Sequence, residues 1–177
     1  MRNIFYVLAV LVFVGATQCE AREKIPIYIG YCYFFPTDSS TRDTFGKAWP
    51  QITVGKLEKK RADKWATTYD LASFRRGGEN KATLVALTMG AEHSIGSLST
   101  ETLQPYVALR AGPYYGRLKA DELGVNATHI GINANAAFGV VIKERYFLEG
   151  RYDLFERMAG FNLSGFSIST GMRILDL

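Results

Sequence analysis

The chain is poor in the residues that build most small sites: it has two cysteines, Cys19 and Cys32, and two histidines, His93 and His129. Two cysteines cannot make a disulfide scaffold, and no Cys/His/acid run has the spacing of a zinc site. No repeat at a period of about 20–50 residues is present, which excludes solenoids and propellers. No apolar run reaches the roughly 20 residues that a membrane-spanning helix requires. Charge is sparse too, at 21% of residues with a net of +4. What the chain does have is aromatic and glycine content: 11 Phe, 10 Tyr, 2 Trp and 17 Gly within a 47% hydrophobic composition. That is too apolar for disorder, and 177 residues suit one domain.

The N-terminus carries an export signal. Arg2 supplies a positive start, Ile4 to Val14 is an apolar run of 11 residues, and Gly15 breaks it. Cys19-Glu20-Ala21 then places small residues at −3 and −1 of a cleavage site. The expected organisation is a signal peptide over 1–21 and one domain over 22–177. Gln18 disfavours lipidation at Cys19. Cleavage leaves Cys32 alone, so the exported chain has no internal disulfide, and a large closed sheet is a candidate for what stabilises it.

The remainder reads as strands. Period-2 alternation marks eight runs, at about 25–35, 48–57, 64–74, 82–92, 104–114, 128–141, 145–155 and 162–175. Turn residues separate them, among them Pro36-Thr37-Asp38, Gly77-Gly78-Glu79-Asn80, Gly96, Gly124 and Gly160. Ser39 to Lys47 has room for one helical turn.

The last four strands each have one apolar face and one small or polar face. Tyr146, Leu148, Gly150, Tyr152 and Leu154 oppose Glu149, Arg151 and Asp153. Phe166, Ile168, Thr170, Met172 and Ile174 oppose Ser167, Ser169, Gly171 and Arg173. Ile130, Ile132, Ala134, Ala136, Phe138 and Val140 oppose His129, Gly131, Asn133, Asn135, Ala137 and Gly139. Val107, Leu109 and Ala111 oppose Tyr106, Ala108, Arg110 and Gly112.

Alternation alone does not say which face is inside. A soluble barrel packs its apolar face inward, whereas a membrane barrel turns it to lipid. Two features favour the membrane arrangement. The polar faces are rich in Gly, Ala and Ser, which fit a narrow eight-stranded interior. Aromatics also gather near strand ends: Phe34, Phe35, Trp49, Phe74, Tyr114, Tyr115, Phe155 and Phe161 toward one rim, and Trp65, Tyr106, Tyr146 and Phe147 toward the other. Two aromatic belts are expected of a spanning barrel.

With the strands placed, the segments 33–46 and 105–115 and the C-terminal pair 146–152 and 165–174 resemble the small eight-stranded outer-membrane barrel superfamily, the OmpA-transmembrane-domain-like and OmpX-like proteins. The resemblance implies an all-β, antiparallel, up-and-down transmembrane barrel in the bacterial outer membrane, with both termini in the periplasm. Its partners would be outer-membrane lipid, periplasmic chaperones and the barrel-insertion machinery. One departure stands out. Such barrels usually end on an aromatic residue, and this chain ends Ile174-Leu175-Asp176-Leu177, which keeps a soluble periplasmic barrel open. The outward connections on this topology are 36–47, 75–81, 115–127 and 156–161, and the inward ones 58–63, 93–103 and 142–144.

Catalytic chemistry is not legible. A Ser-His-Asp hydrolase needs nucleophile, base and acid within reach of one another, and neither His93 nor His129 sits in such a motif. No metal, cofactor or nucleotide is expected. The basic stretch Lys56, Lys59, Lys60, Arg61 and Lys64 has no interleaved aromatic platform and reads as a solvated turn, with no nucleic-acid partner. By parity Asp70, Glu92, Arg110, Glu149, Arg151, Asp153 and Arg173 face the lumen, where charges must pair. Adjacent-strand geometry pairs Arg173 with Glu149 or Asp153 and leaves Arg151 to reach across. The expected function is a monomeric, non-enzymatic outer-membrane barrel with a plugged lumen and a role carried by surface loops, in envelope integrity, adhesion or surface contact. The alternatives are a soluble, lipocalin-like exported barrel for an apolar ligand and a lipid-modifying outer-membrane enzyme.

Overall fold

The alternation carries most of the chain into eight strands. A computed structural model describes residues 26–56 and 65–176. The expected signal peptide over 1–21 and the basic residues from Lys59 to Lys64 lie outside the described residues. The elements are β1 (Pro26–Pro36), α1 (Ser39–Phe45), β2 (Trp49–Lys56), β3 (Trp65–Arg76), β4 (Lys81–Ser94), β5 (Leu103–Ala120), β6 (Val125–Ile142), β7 (Tyr146–Phe155) and β8 (Gly165–Asp176). Each strand pairs antiparallel with the next, and β8 pairs with β1 to close the barrel. Closure leaves no open sheet edge, so every strand has a neighbour on both sides.

The start of β1, the end of β8 and the short β6–β7 turn lie at one end, here the terminal end. Lys143 and Glu144 take left-handed conformations there, and the Arg145 amide donates to the Ile142 carbonyl at 3.1 Å. The far end carries α1, the β5–β6 tip and the 156–164 connection.

The side-chain parity is that of an inverted barrel. On β7, Phe147, Glu149, Arg151, Asp153 and Phe155 are buried, while Leu148 and Leu154 are exposed. Ile132 and Ile168 are 61% and 60% exposed, on the same outer wall as Ile52, Met89, Leu109 and Phe138.

The far end is closed by an apolar cap. Phe34, Trp49, Phe74, Leu84, Tyr114, Leu118 and Phe155 point inward from the strands, and Phe45, Met158, Phe161 and Leu163 come down from the connections. The rings meet edge to face, Phe34–Phe74 at 5.0 Å and Phe45–Phe161 at 5.1 Å. Helix α1 starts because the Asp38 carboxylate accepts from the Thr41 amide at 2.9 Å. It ends at Gly46, whose φ of 91° suits glycine. The Thr41 hydroxyl donates to the Asn162 carbonyl at 2.8 Å, and Arg76 Nε donates to the Phe45 carbonyl at 3.1 Å, so the helix is tied to both neighbours.

Three sequence expectations are corrected. The expected loop over 115–127 is mostly strand: β5 runs to Ala120 and β6 starts at Val125, with one 3₁₀ turn, Asp121–Leu123, between them. The reason is that alternation continues past Gly116, with Leu118 and Ala120 inward and Arg117 and Lys119 outward, and the cap rewards the inner face. The expected aromatic belts are also mixed. Phe34, Trp49, Phe74, Tyr114, Phe155, Phe161, Tyr106 and Phe147 are buried inside the barrel, and only Phe35, Tyr115, Trp65 and Tyr146 of those named face outward. Position along a strand sets height, but parity sets the face. Finally, the helix after β1 is two turns rather than one, because both its inner residues, Thr41 and Phe45, find buried partners.

Candidate functional site

Beneath the apolar cap, the middle of the barrel holds a polar layer. It exists because the inward parity of β1, β3, β5, β7 and β8 delivers Tyr28, Asp70, Arg110, Glu149, Arg151, Asp153 and Ser167 to one space. Arg151 is its hub. Its Nη1 reaches Asp70 Oδ2 on the opposite wall at 2.6 Å, and its Nε holds Asp153 Oδ2 at 3.0 Å. Arg110 Nη2 contacts Glu149 Oε2 at 3.1 Å.

Hydroxyls complete each carboxylate. Tyr28 donates to Asp70 at 3.1 Å, and Thr53 donates to the same Oδ1. Tyr106 donates to Glu149 at 2.9 Å, and Ser167 donates to Asp153 at 3.1 Å. Removing charges from water costs several kcal/mol per ion, so such a layer is tolerable only when each group has partners of this kind. Of these partners Tyr106 and Ser167 were legible as polar-face residues. Tyr28 and Thr53 are not among the sequence-selected residues, although each lies on the inward parity of its strand, Tyr28 with Cys32 and Phe34 and Thr53 with Trp49 and Gln51.

The other two sequence-selected charges lie elsewhere. Glu92 is buried on β4, toward the terminal end, and Arg173 lies at the terminal rim of β8. Arg173 does not take the place expected of it beside Glu149 or Asp153. Those acids are held by Arg110 and Arg151, and the Arg173 guanidinium donates to the Glu144 carbonyl at 3.5 Å. The physical reason is height: Arg173 pairs across the sheet with Tyr28, next to an irregularity in the β1–β8 register, several residues below Asp153.

Toward the terminal end the lumen is filled by rings seated on glycine. The Tyr106 ring covers Gly139, and the Phe147 ring occupies the space a Cβ would need at Gly30 and Gly171. Tyr28 and Phe147 pack edge to face at 4.7 Å. Apolar cap, ion layer and terminal rings thus stack along the axis, and side chains fill the interior.

Among the described residues, neither histidine contacts a candidate nucleophile. His129 Nε2 lies 3.5 Å from Glu156 Oε2 and against the Tyr114 ring, at the far rim. His93 stacks against Trp65 at 5.0 Å. Among the described residues, no serine, threonine or cysteine side chain hydrogen-bonds either imidazole. No described group of three His, Cys, Asp or Glu side chains could hold a metal ion.

No protein-family model matches the chain, and no curated protein matches it by sequence. Solved structures do match its fold. Neisserial surface protein A superposes with a TM-score of 0.63 at 12% identity, covering 88% of this chain and 99% of that one. Ail, the attachment invasion locus protein of Yersinia pestis, gives 0.52 at 16% identity over 87% of this chain and 100% of its own. The outer membrane enzyme PagL gives 0.52 at 10% identity over 83% and 98%. The chain therefore has the fold of the small eight-stranded outer-membrane barrels.

Proposed function

We propose that the chain is a monomeric, non-enzymatic bacterial outer-membrane barrel, exported with a signal peptide over 1–21 and inserted by the barrel-assembly machinery after chaperoned passage through the periplasm. One observation carries the reading. The outer wall presents Ile29, Ile52, Leu109, Ile132, Leu148 and Ile168 to the surroundings, while Asp70, Arg110, Glu149, Arg151 and Asp153 are enclosed. A water-soluble barrel binding an apolar ligand would reverse both sets, since it would expose its charges and bury its aliphatics. Lipid is the environment that rewards this inversion, and a filled lumen leaves the role to the far end, in surface contact, adhesion or envelope integrity.

The three neighbours show why the fold alone does not choose among these roles: one is described as a surface protein, one as an attachment invasion protein and one as an enzyme. The non-enzymatic reading rests on this chain's own residues: the one described histidine–carboxylate contact, His129–Glu156, has no serine, threonine or cysteine hydrogen-bonded to it, and the neighbouring Tyr114 hydroxyl is engaged by the Glu156 carbonyl at 3.1 Å. The test is a heat-modifiability gel on the chain purified from outer-membrane fractions. A species that runs compact until boiled supports a spanning barrel. A chain that fractionates with soluble periplasmic proteins and needs no detergent overturns the proposal.

A further inference from the structure

The outer wall changes chemistry abruptly near the far end of β3, β4 and β5. Tyr115, Val85 and Ser73 form one outward row across the three strands. One step further along lie Arg117, Thr83 and Arg75, again neighbours by register, and beyond them Lys81 and Lys119 stand directly opposite one another. All four cations point outward, since their strand neighbours Phe74, Ala82 and Leu118 are buried. Elsewhere on the outer wall at this height, β1, β7 and β8 present Phe35, Leu154 and Phe166, so the outward cations of the strands gather in one sector, while the exposed Lys47 and Arg157 belong to connections.

Like charges directly opposite across a sheet are destabilising. Lys119 alone of the four has an acid in contact, Asp121 at 2.8 Å. Among the described residues, no carboxylate forms an ion pair with Arg75, Lys81 or Arg117. Strand spacing places Lys81 and Lys119 about 5 Å apart and the two arginines about 10 Å apart, with the Thr83 hydroxyl between them. Guanidinium, ammonium and hydroxyl donors on such a spacing match phosphate oxygens.

We propose that this sector, Arg75, Lys81, Arg117 and Lys119, binds the phosphate headgroup of a membrane lipid lying against the barrel wall. The inference rests on the membrane reading above. It commits to a lipid because the cations begin one row beyond the apolar band. A lipid has acyl chains to lie along Leu87, Met89 and Leu109 while its phosphate meets the cations. A free anion would touch the cations alone.

The full chain in zwitterionic micelles would be titrated with phosphatidic acid and, separately, with phosphatidylcholine, and bound lipid counted by native mass spectrometry. Phosphatidic acid should be retained preferentially. Lys81→Gln with Lys119→Gln, and Arg75→Gln with Arg117→Gln, should each reduce that preference roughly thirtyfold, the scale expected for two cations near an anionic surface. Lys143→Gln with Arg145→Gln, at the terminal end, should leave it unchanged. Heat-modifiability of every variant reports whether the barrel is intact. A compact, heat-modifiable barrel with no preference, or one whose preference survives both double substitutions, overturns the lipid site while leaving the membrane reading in place. Displacement by excess inorganic phosphate without any need for acyl chains also overturns it, in favour of a free-anion site. A chain that never becomes heat-modifiable overturns the membrane reading, and the site falls with it.

Discussion

Arg151 and Asp70 lie 81 residues apart in sequence and on opposite walls of the barrel, yet Nη1 and Oδ2 meet at 2.6 Å through the lumen. The contact ties β7 to β3 directly, across the interior, where the closed sheet connects them only by way of three intervening strands in either direction. Because Arg151 also holds Asp153, its loss strands two carboxylates, not one.

Arg151→Ala should therefore be the most damaging single change in the polar layer. Removing one partner of a buried pair costs about 3–5 kcal/mol, because a charge is left uncompensated. Asp70→Asn should cost less, since the amide still accepts from Tyr28 and Thr53 through its oxygen. The temperature at which the compact gel species disappears gives the ranking. Equal behaviour of Arg151→Ala and the unmutated protein would show that the layer contributes nothing to holding the barrel.

On the outer wall the expected sensitivity follows the apolar band. Arginine at Ile132, Leu148, Val107 or Ile168 should cost roughly 2–4 kcal/mol near the bilayer midplane. The inward control has to be small, because Ser169 is 1% exposed and faces a filled lumen beside Cys32, where a longer side chain has no room. Ser169→Ala is the suitable change and should be mild. Urea unfolding in vesicles measures both. Arginine tolerated at all four outer positions would contradict a lipid-facing wall.

At the far end, Phe45→Ala should loosen the cap without opening the barrel. It deletes the ring that contacts Phe161 at 5.1 Å and Trp49 at 6.3 Å, and large buried aromatics cost about 3–5 kcal/mol when truncated. The loss falls on α1 and the 156–164 connection, which pack on the barrel mouth, so limited proteolysis should cut within 37–47 while the strands stay protected. An epitope inserted after Glu122, at the exposed β5–β6 tip, should be reached by antibody on intact cells. Access only after permeabilisation would invert the topology.

Much of this architecture was legible because two chemistries alternate without interruption on the later strands. Leu148 beside Glu149 and Ile168 beside Ser169 assign both faces, and the β7 and β8 boundaries fall within a few residues of the alternation. The outer hairpin departs from the loop that Gly124 suggests over 115–127, since Arg117, Leu118, Lys119 and Ala120 still alternate. The cap was invisible for another reason: Phe45 and Phe161 come from connections, whose side chains obey no period. Membership of the polar layer could be read from parity, but not who meets whom. Parity gives a face, whereas contact across a lumen depends on strand stagger, which only the closed register supplies. That is why Arg173, on the right face, sits at the terminal rim rather than beside Asp153.

The last expectation concerns conduction. An ion crossing the barrel meets three successive obstructions. The cap packs Phe34, Trp49, Phe74 and Phe155 across the far mouth, each essentially buried. The ion layer follows, with Arg110 and Arg151 both engaged by acids and less than 4% exposed. Tyr106 and Phe147 then fill the terminal end over Gly139, Gly30 and Gly171. Swinging one arginine aside would break its pair and still leave the aromatic rings above and below. Planar-bilayer recordings of the unmutated protein should show no steady conductance. The double change Tyr106→Ala with Phe34→Ala removes a ring at each end but leaves the charged layer, so it should remain closed. Adding Arg151→Ala to that pair removes the hub as well and should produce measurable openings, provided the gel shows an intact barrel. A large, stable conductance in the unmutated protein would refute the filled lumen and move the function toward a pore.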